Sequence, residues 1–69
     1  MWYVIEFQTS GSTGSLITLS FADRTQAETS YHEKLMYASQ SQIAKHGVML
    51  VNDDMFVVKS EMYVHDNDA

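Results

Sequence analysis

Apolar and polar residues alternate with a period of two at both ends of the chain and with a period near 3.6 in the middle. Trp2 to Gln8 is rich in aromatic and β-branched residues and reads as a strand. Ser10-Gly11-Ser12-Thr13-Gly14-Ser15 is turn chemistry, and Leu16 to Phe21 alternates again, so the two strands form a hairpin. Asp23 with Gln26, or Thr25 with Glu28, can then cap a helix. Ala27, Tyr31, Leu35 and Ala38 fall in one narrow arc of a helical wheel. The pattern predicts a helix from about Arg24 to Ser39, with Gly47 after Lys45 and His46 as an alternative end. Val48 to Val51 is a short apolar strand, Asn52-Asp53-Asp54 a tight turn, and Met55 to Val64 the last strand. The expected fold is a single α+β domain over residues 1–65, ββαββ. It has a mainly antiparallel four-stranded sheet with one helix on one face, and a flexible acidic tail at 66–69.

One helix covers one face of a sheet. Tyr3, Ile5 and Phe7 share a face of the first strand, and Ile17, Leu19 and Phe21 share one of the second. With Asp53-Asp54 as a two-residue turn, Val51 sits opposite Phe56 and Met49 opposite Val58. These sets form the expected floor for the helix. The other face then carries Trp2, Val4, Leu16, Val48, Leu50, Val57 and Tyr63, interrupted by Glu6, Gln8, Thr18, Lys59 and Glu61. An uncovered apolar patch of that size marks an interface or a binding groove. Met36 lies roughly 145° from the centre of the helix stripe at about 100° per residue, with His32 and Tyr37 on its flanks. The expectation is a homo-oligomer joined through Trp2, Val4, Leu16, Met36, Val48, Leu50 and Val57.

Composition narrows the function classes. The chain of 69 residues has no cysteine, so neither a disulfide nor a thiolate metal site is available. The start of the chain has no basic, signal-peptide-like run, which gives a cytoplasmic expectation. Four scattered basic residues face nine acidic ones, for a net charge of −5. That excludes the cationic stripe that duplex nucleic acid or an anionic membrane requires. A basic protein surface fits better.

The candidate chemistry is sparse. His32, His46 and His65 match no metal signature, so no metal or other cofactor is expected. Glu28 and His32 share a helix face as an ordinary i,i+4 pair, and His46, just before a strand, reads as a group that satisfies backbone carbonyls. The Gly11-Ser12-Thr13-Gly14-Ser15 loop lacks the lysine of a phosphate-binding loop and reads as a flexible hairpin connection. No nucleophile elbow is present, and no catalytic residue is assigned. Trp2, Tyr3, Tyr31, His32 and Tyr63 are the candidate ligand-binding residues. Tyr and Trp hold flat molecules through an apolar body and a polar tip. Arg24, Lys34, Lys45 or Lys59 would supply phosphate contacts if symmetry gathered them.

Tyr3-Val4-Ile5-Glu6-Phe7-Gln8, Ala27-Glu28, Tyr31-His32, His46 before an apolar strand, and Glu61, Tyr63 and His65 near the end resemble, across nearly the whole chain, short phage and prophage proteins of gut Firmicutes. Ala38-Ser39-Gln40-Ser41 is more polar than that group's pattern. The resemblance carries no established activity. It implies a setting in which small proteins bind a host protein, assist virion assembly or counter host defence, some by sequestering nucleotide immune signals. The first expectation is therefore a non-enzymatic homo-oligomer enclosing a nucleotide-derived host signal. The alternative is an acidic protein-interaction module that occupies a basic host or phage protein.

Overall fold

The computed structural model describes residues 1–65, so the tail expected at 66–69 lies outside the described residues. Strands β1 (Trp2–Ser10), β2 (Thr13–Phe21), β3 (Lys45–Val51) and β4 (Val57–Val64) and helix α1 (Arg24–Gln40) follow in the order ββαββ. The strands form one antiparallel sheet in the order β2-β1-β3-β4. The α+β architecture agrees with the hydrophobic pattern. Because β2 and β3 both run antiparallel to β1, they run parallel to each other, and α1 is the crossover that joins them.

Local chemistry explains most of the boundaries. The Asp23 carboxylate accepts a hydrogen bond of 2.9 Å from the backbone N–H of Thr25, which caps the helix. The helix ends at Gln40, one residue beyond expectation, and Ser41 turns extended while its N–H bonds to the Ala38 carbonyl. Gly47 stops no helix. It sits in mid-strand opposite Phe7, whose ring covers it: a Cβ at Gly47 would lie 2.3 Å from Phe7 Cζ. The loop expected at 10–15 is instead a two-residue turn, Gly11-Ser12, between the paired residues Ser10 and Thr13. Gly11 takes a φ of 63°, which a glycine adopts without strain. The second hairpin is longer than expected. The Asn52 side-chain carbonyl accepts from the N–H groups of Asp54 and Phe56, Met55 adopts a φ of 67°, and pairing starts at Val57 with a register shift at Leu50/Val51. Val51 therefore faces Val57, and Met49 faces Ser60, not Phe56 and Val58.

The register reverses most of the face assignment. Pairing Ser10 with Thr13 puts Trp2 beside Phe21, Val4 beside Leu19 and Glu6 beside Ile17. Side chains of directly opposed residues share a face. The β2 set Ile17, Leu19 and Phe21 is therefore on the helix side as expected, but it is joined there by Trp2, Val4 and Glu6. Tyr3, Ile5 and Phe7 are on the other side. Helix α1 lays Ala27 and Tyr31 on Val4, Val48 and Leu50, with Trp2, Phe21 and Leu35 around them, and Ala38 is buried in its last turns. Val4, Val48 and Leu50 are at most 1% exposed, so these expected interface residues are core. Trp2 packs against the same core, under the Arg24 guanidinium at 5.2 Å from its ring centre. Leu16, Met36 and Val57 are exposed.

Candidate functional site

The helix side of the sheet holds a polar layer as well as the apolar core. Along β1 the inward positions run Val4, Glu6, Gln8, and along β3 they run Leu50, Val48, His46. Alternation alone therefore carries a carboxylate, an amide and an imidazole beneath the helix. His46 lies directly across from Gln8, and Glu6 across from Val48. His46 Nε2 and Glu6 Oε2 are 2.7 Å apart, and both side chains are buried. From above, Lys34 Nζ stands 3.7 Å from the other carboxylate oxygen. Gln8 Nε2 is 3.5 Å from the same imidazole nitrogen. His46 Nδ1 is the only buried side-chain nitrogen or oxygen without a partner among the described residues.

This layer continues towards β4. Tyr63 is opposite His46, its ring stacked on that of His65. His65 Nε2 is 2.9 Å from the Ala38 carbonyl, which ties the end of β4 to the last turn of the helix. Burial pushes the Tyr31 hydroxyl above its ordinary value, and the negative charges of Glu61 and Tyr63 add to that. Glu28 receives both Arg24, at 3.6 Å, and Lys59 from β4, at 3.5 Å.

The candidate residues are thus divided. Tyr31 and Tyr63 lie close enough to influence each other, and exposed His32 meets the Tyr31 ring edge-on, with centroids 5.5 Å apart. Trp2 is at the opposite end of the core, and Tyr3 is on the other side of the sheet. His46 satisfies a carboxylate, not the backbone carbonyl expected of it; His65 meets the carbonyl. Among the described residues, no three His, Asp or Glu side chains converge as metal ligands.

The sequence reading treated Glu6 as an interruption of an apolar face and named Lys34 only among four possible phosphate contacts. One signal was available. Lys34 lies about 20° from Ala27 on a wheel of 100° per residue, just outside the edge of the core arc. A cation there calls for a buried carboxylate on the facing strand, and Glu6, set between Ile5 and Phe7, is that carboxylate.

Two hollows flank the core. One is an open groove of about 620 Å³ between β2 and α1, with Leu19 and Phe21 as floor and Thr25, Thr29, Ser30 and Lys34 among its wall residues. The other, about 410 Å³, is lined by Phe7, Met49, Ser60, Glu61 and Met62. No protein-family model, curated protein or solved structure gives a significant match to the chain.

Proposed function

We propose that the protein is a small non-enzymatic binding protein that works as a homo-oligomer. The uncovered sheet face is the contact between copies, and the ligand is a nucleotide-derived host signal held without cleavage. One observation carries this reading. The side of the sheet away from α1 holds Tyr3, Ile5, Phe7, Leu16, Met49 and Met62 with no second layer over it among the described residues. Leu16 is 70% exposed and Met62 49%. A contiguous apolar surface of this kind is rare on a free monomer, and the hollow beside Phe7 and Met49 offers a recess for a side chain of a second copy.

The ligand half of the proposal rests on the phage resemblance and on the β2–α1 groove, whose volume is in the range of small-molecule sites. An aromatic and a leucine form its floor, and hydroxyls line its wall, a combination suited to a nucleoside. Arg24, Lys34 and Lys59 already face carboxylates. This favours a ligand with few phosphates over a polyphosphate. The Glu6–His46 pair has the geometry of an acid–base couple but lies sealed under the helix, which supports binding without turnover.

Calorimetric titration with cyclic mononucleotides, cyclic dinucleotides and ADP-ribose tests the ligand, and light scattering over a range of concentrations tests the assembly. Saturable heat from one of these ligands and a mass above 7.9 kDa are expected. Absence of heat from all of them overturns the ligand, and a 7.9 kDa particle at every concentration overturns the oligomer. The protein-interaction reading draws on a different observation. With three cations locally paired, exposed Asp23, Glu33, Asp53, Asp54 and Glu61 leave the surface acidic. Salt-sensitive capture of a basic host protein by a chain that binds no nucleotide would favour it.

A further inference from the structure

The two outer strands of the sheet are built differently. β4 carries Lys59 and Glu61 and meets its neighbour through a register shift. Charge and irregularity are the usual guards that keep an edge strand from pairing with another chain. β2 has none of them. Its nine residues, Thr-Gly-Ser-Leu-Ile-Thr-Leu-Ser-Phe, include no charged side chain and no proline, and they pair with β1 without a shift. Apart from Leu19 and Phe21 they are exposed. Ile17 faces the helix side yet remains 44% exposed, and α1 packs mainly over β3 and β1.

We propose that β2 is a self-association edge. It pairs antiparallel with β2 of a second copy, and this completes the β2–α1 groove as a cleft with two helical walls. The inference rests on the homo-oligomeric reading above and names an edge and a site that reading does not contain.

Symmetry selects a second copy as the occupant. An uncharged strand pairing with its own antiparallel copy brings no like charges together across the two-fold axis. A charged partner strand would find no complementary charge on β2. Symmetry also sets the shape. Two identical strands pair antiparallel in a continuous sheet only through a two-fold axis perpendicular to it, and that operation leaves both helices on the same side. With strands about 4.8 Å apart and each helix centred between β1 and β3, the helix axes lie roughly 19 Å apart. A helix is about 10 Å across, so a gap of roughly 9 Å remains. Ile17, Leu19 and Phe21 of both copies would form its floor, and Thr25, Thr29 and Ser30 of both helices its walls. The single chain supplies one wall and half the floor, which is why its groove is open. The ligand class that fits is flat, hydrogen-bonding and of low charge.

The test compares two single charges by light scattering, with circular dichroism to confirm folding. Ile17→Lys puts charge at the centre of β2 on the helix side, away from the open face. Met49→Lys puts it on the open face, away from either edge. With both the β2 edge and the open face in contact with other copies, the assembled wild type should weigh at least four times the chain mass. Ile17→Lys should lower that mass by half or more, and Met49→Lys should lower it by disrupting the other contact. In the assembled wild type, hydrogen exchange should show the outward amides of β2 protected and those of β4 open. A wild-type mass retained by Ile17→Lys overturns the edge and leaves the open-face reading standing; a monomeric wild type overturns both. If Ile17→Lys does not fold, rapid exchange of alternate β2 amides in the assembled wild type overturns the proposal.

Discussion

The two faces of the sheet differ in a way that hydrophobicity alone does not explain. Under the helix, three aliphatic side chains are fully buried, yet the same side holds a carboxylate, an imidazole and an amide. The opposite side carries Tyr3, Ile5, Phe7 and Met49 on its central strands and no charged group between them, yet nothing among the described residues covers it. The helix did not settle on the more apolar face. Crossovers between parallel strands of one sheet are right-handed in nearly all proteins. Once β2 and β3 flank β1, the connection through α1 dictates which side the helix occupies. The turn at Gly11-Ser12 then dictates which residues point there. Apolar content on the remaining side is free to serve another contact.

Adjacent residues on β3 give the sharpest way to break this comparison. Leu50 is fully buried under α1, while Met49, its neighbour, faces the open side. Leu50→Ala should cost about 2–5 kcal/mol in urea unfolding at any protein concentration. Met49→Ala should cost under about 1 kcal/mol in dilute protein, rising with concentration as assembly adds to stability. Equal costs in dilute protein would mean that the two faces are not energetically distinct.

A second test concerns why a polar layer sits on the covered side. Glu6 is held by His46 and Lys34; removing Glu6 leaves the buried His46 without its carboxylate, and removing His46 leaves the buried Glu6 with half-buried Lys34 alone. Glu6→Leu or His46→Leu alone should cost about 3 kcal/mol, whereas the double substitution should restore stability to near or above that of the parent. A double-mutant cycle measures the coupling. Additive costs would show that Glu6 and His46 act independently, and the polar layer would then not be a single unit.

What the sequence made legible follows the same division. The element order, the helix stripe Ala27, Tyr31, Leu35 and Ala38, and the Asp23 cap are local features, and local patterns announced them. The register was not local. A hairpin turn with an even number of residues pairs odd-numbered positions with even-numbered ones. Tyr3 therefore meets Ser20, and the odd sets of β1 and β2 fall on opposite faces. Nothing in Ser10 to Ser15 separates a two-residue turn from a longer loop, because every residue there suits a turn. One slip of this kind moved Val4, Val48 and Leu50 from an imagined interface into the core. It also hid Glu6 and His46, whose partnership depends on β1 and β3 being neighbours, and strand order is invisible to periodicity. The open apolar face was anticipated as a consequence of a single helix; its membership was not.

The smallest effect expected comes from the edge of the covered face and appears only in alkaline solution. Tyr31 is buried by the sheet, and that burial, followed by the charges of Glu61 and Tyr63, raises its hydroxyl above the usual value near 10. The unfolded chain releases this proton near pH 10, while the folded chain retains it to higher pH. Below the unfolded value both states hold the proton, and the contribution of Tyr31 is fully present. As pH rises from there through the folded value, ionisation favours the unfolded chain and the contribution is lost. Phenylalanine at this position has no proton to release, so the urea midpoint of Tyr31→Phe should fall less steeply than that of the parent above about pH 10. The two slopes should coincide at neutral pH. The other tyrosines and the lysines titrate in both proteins, so the difference between the curves isolates Tyr31. Parallel curves across the alkaline range would place its hydroxyl in water, and the covered face would then be wetter at the β4 side than Tyr31, at 4% exposure, requires.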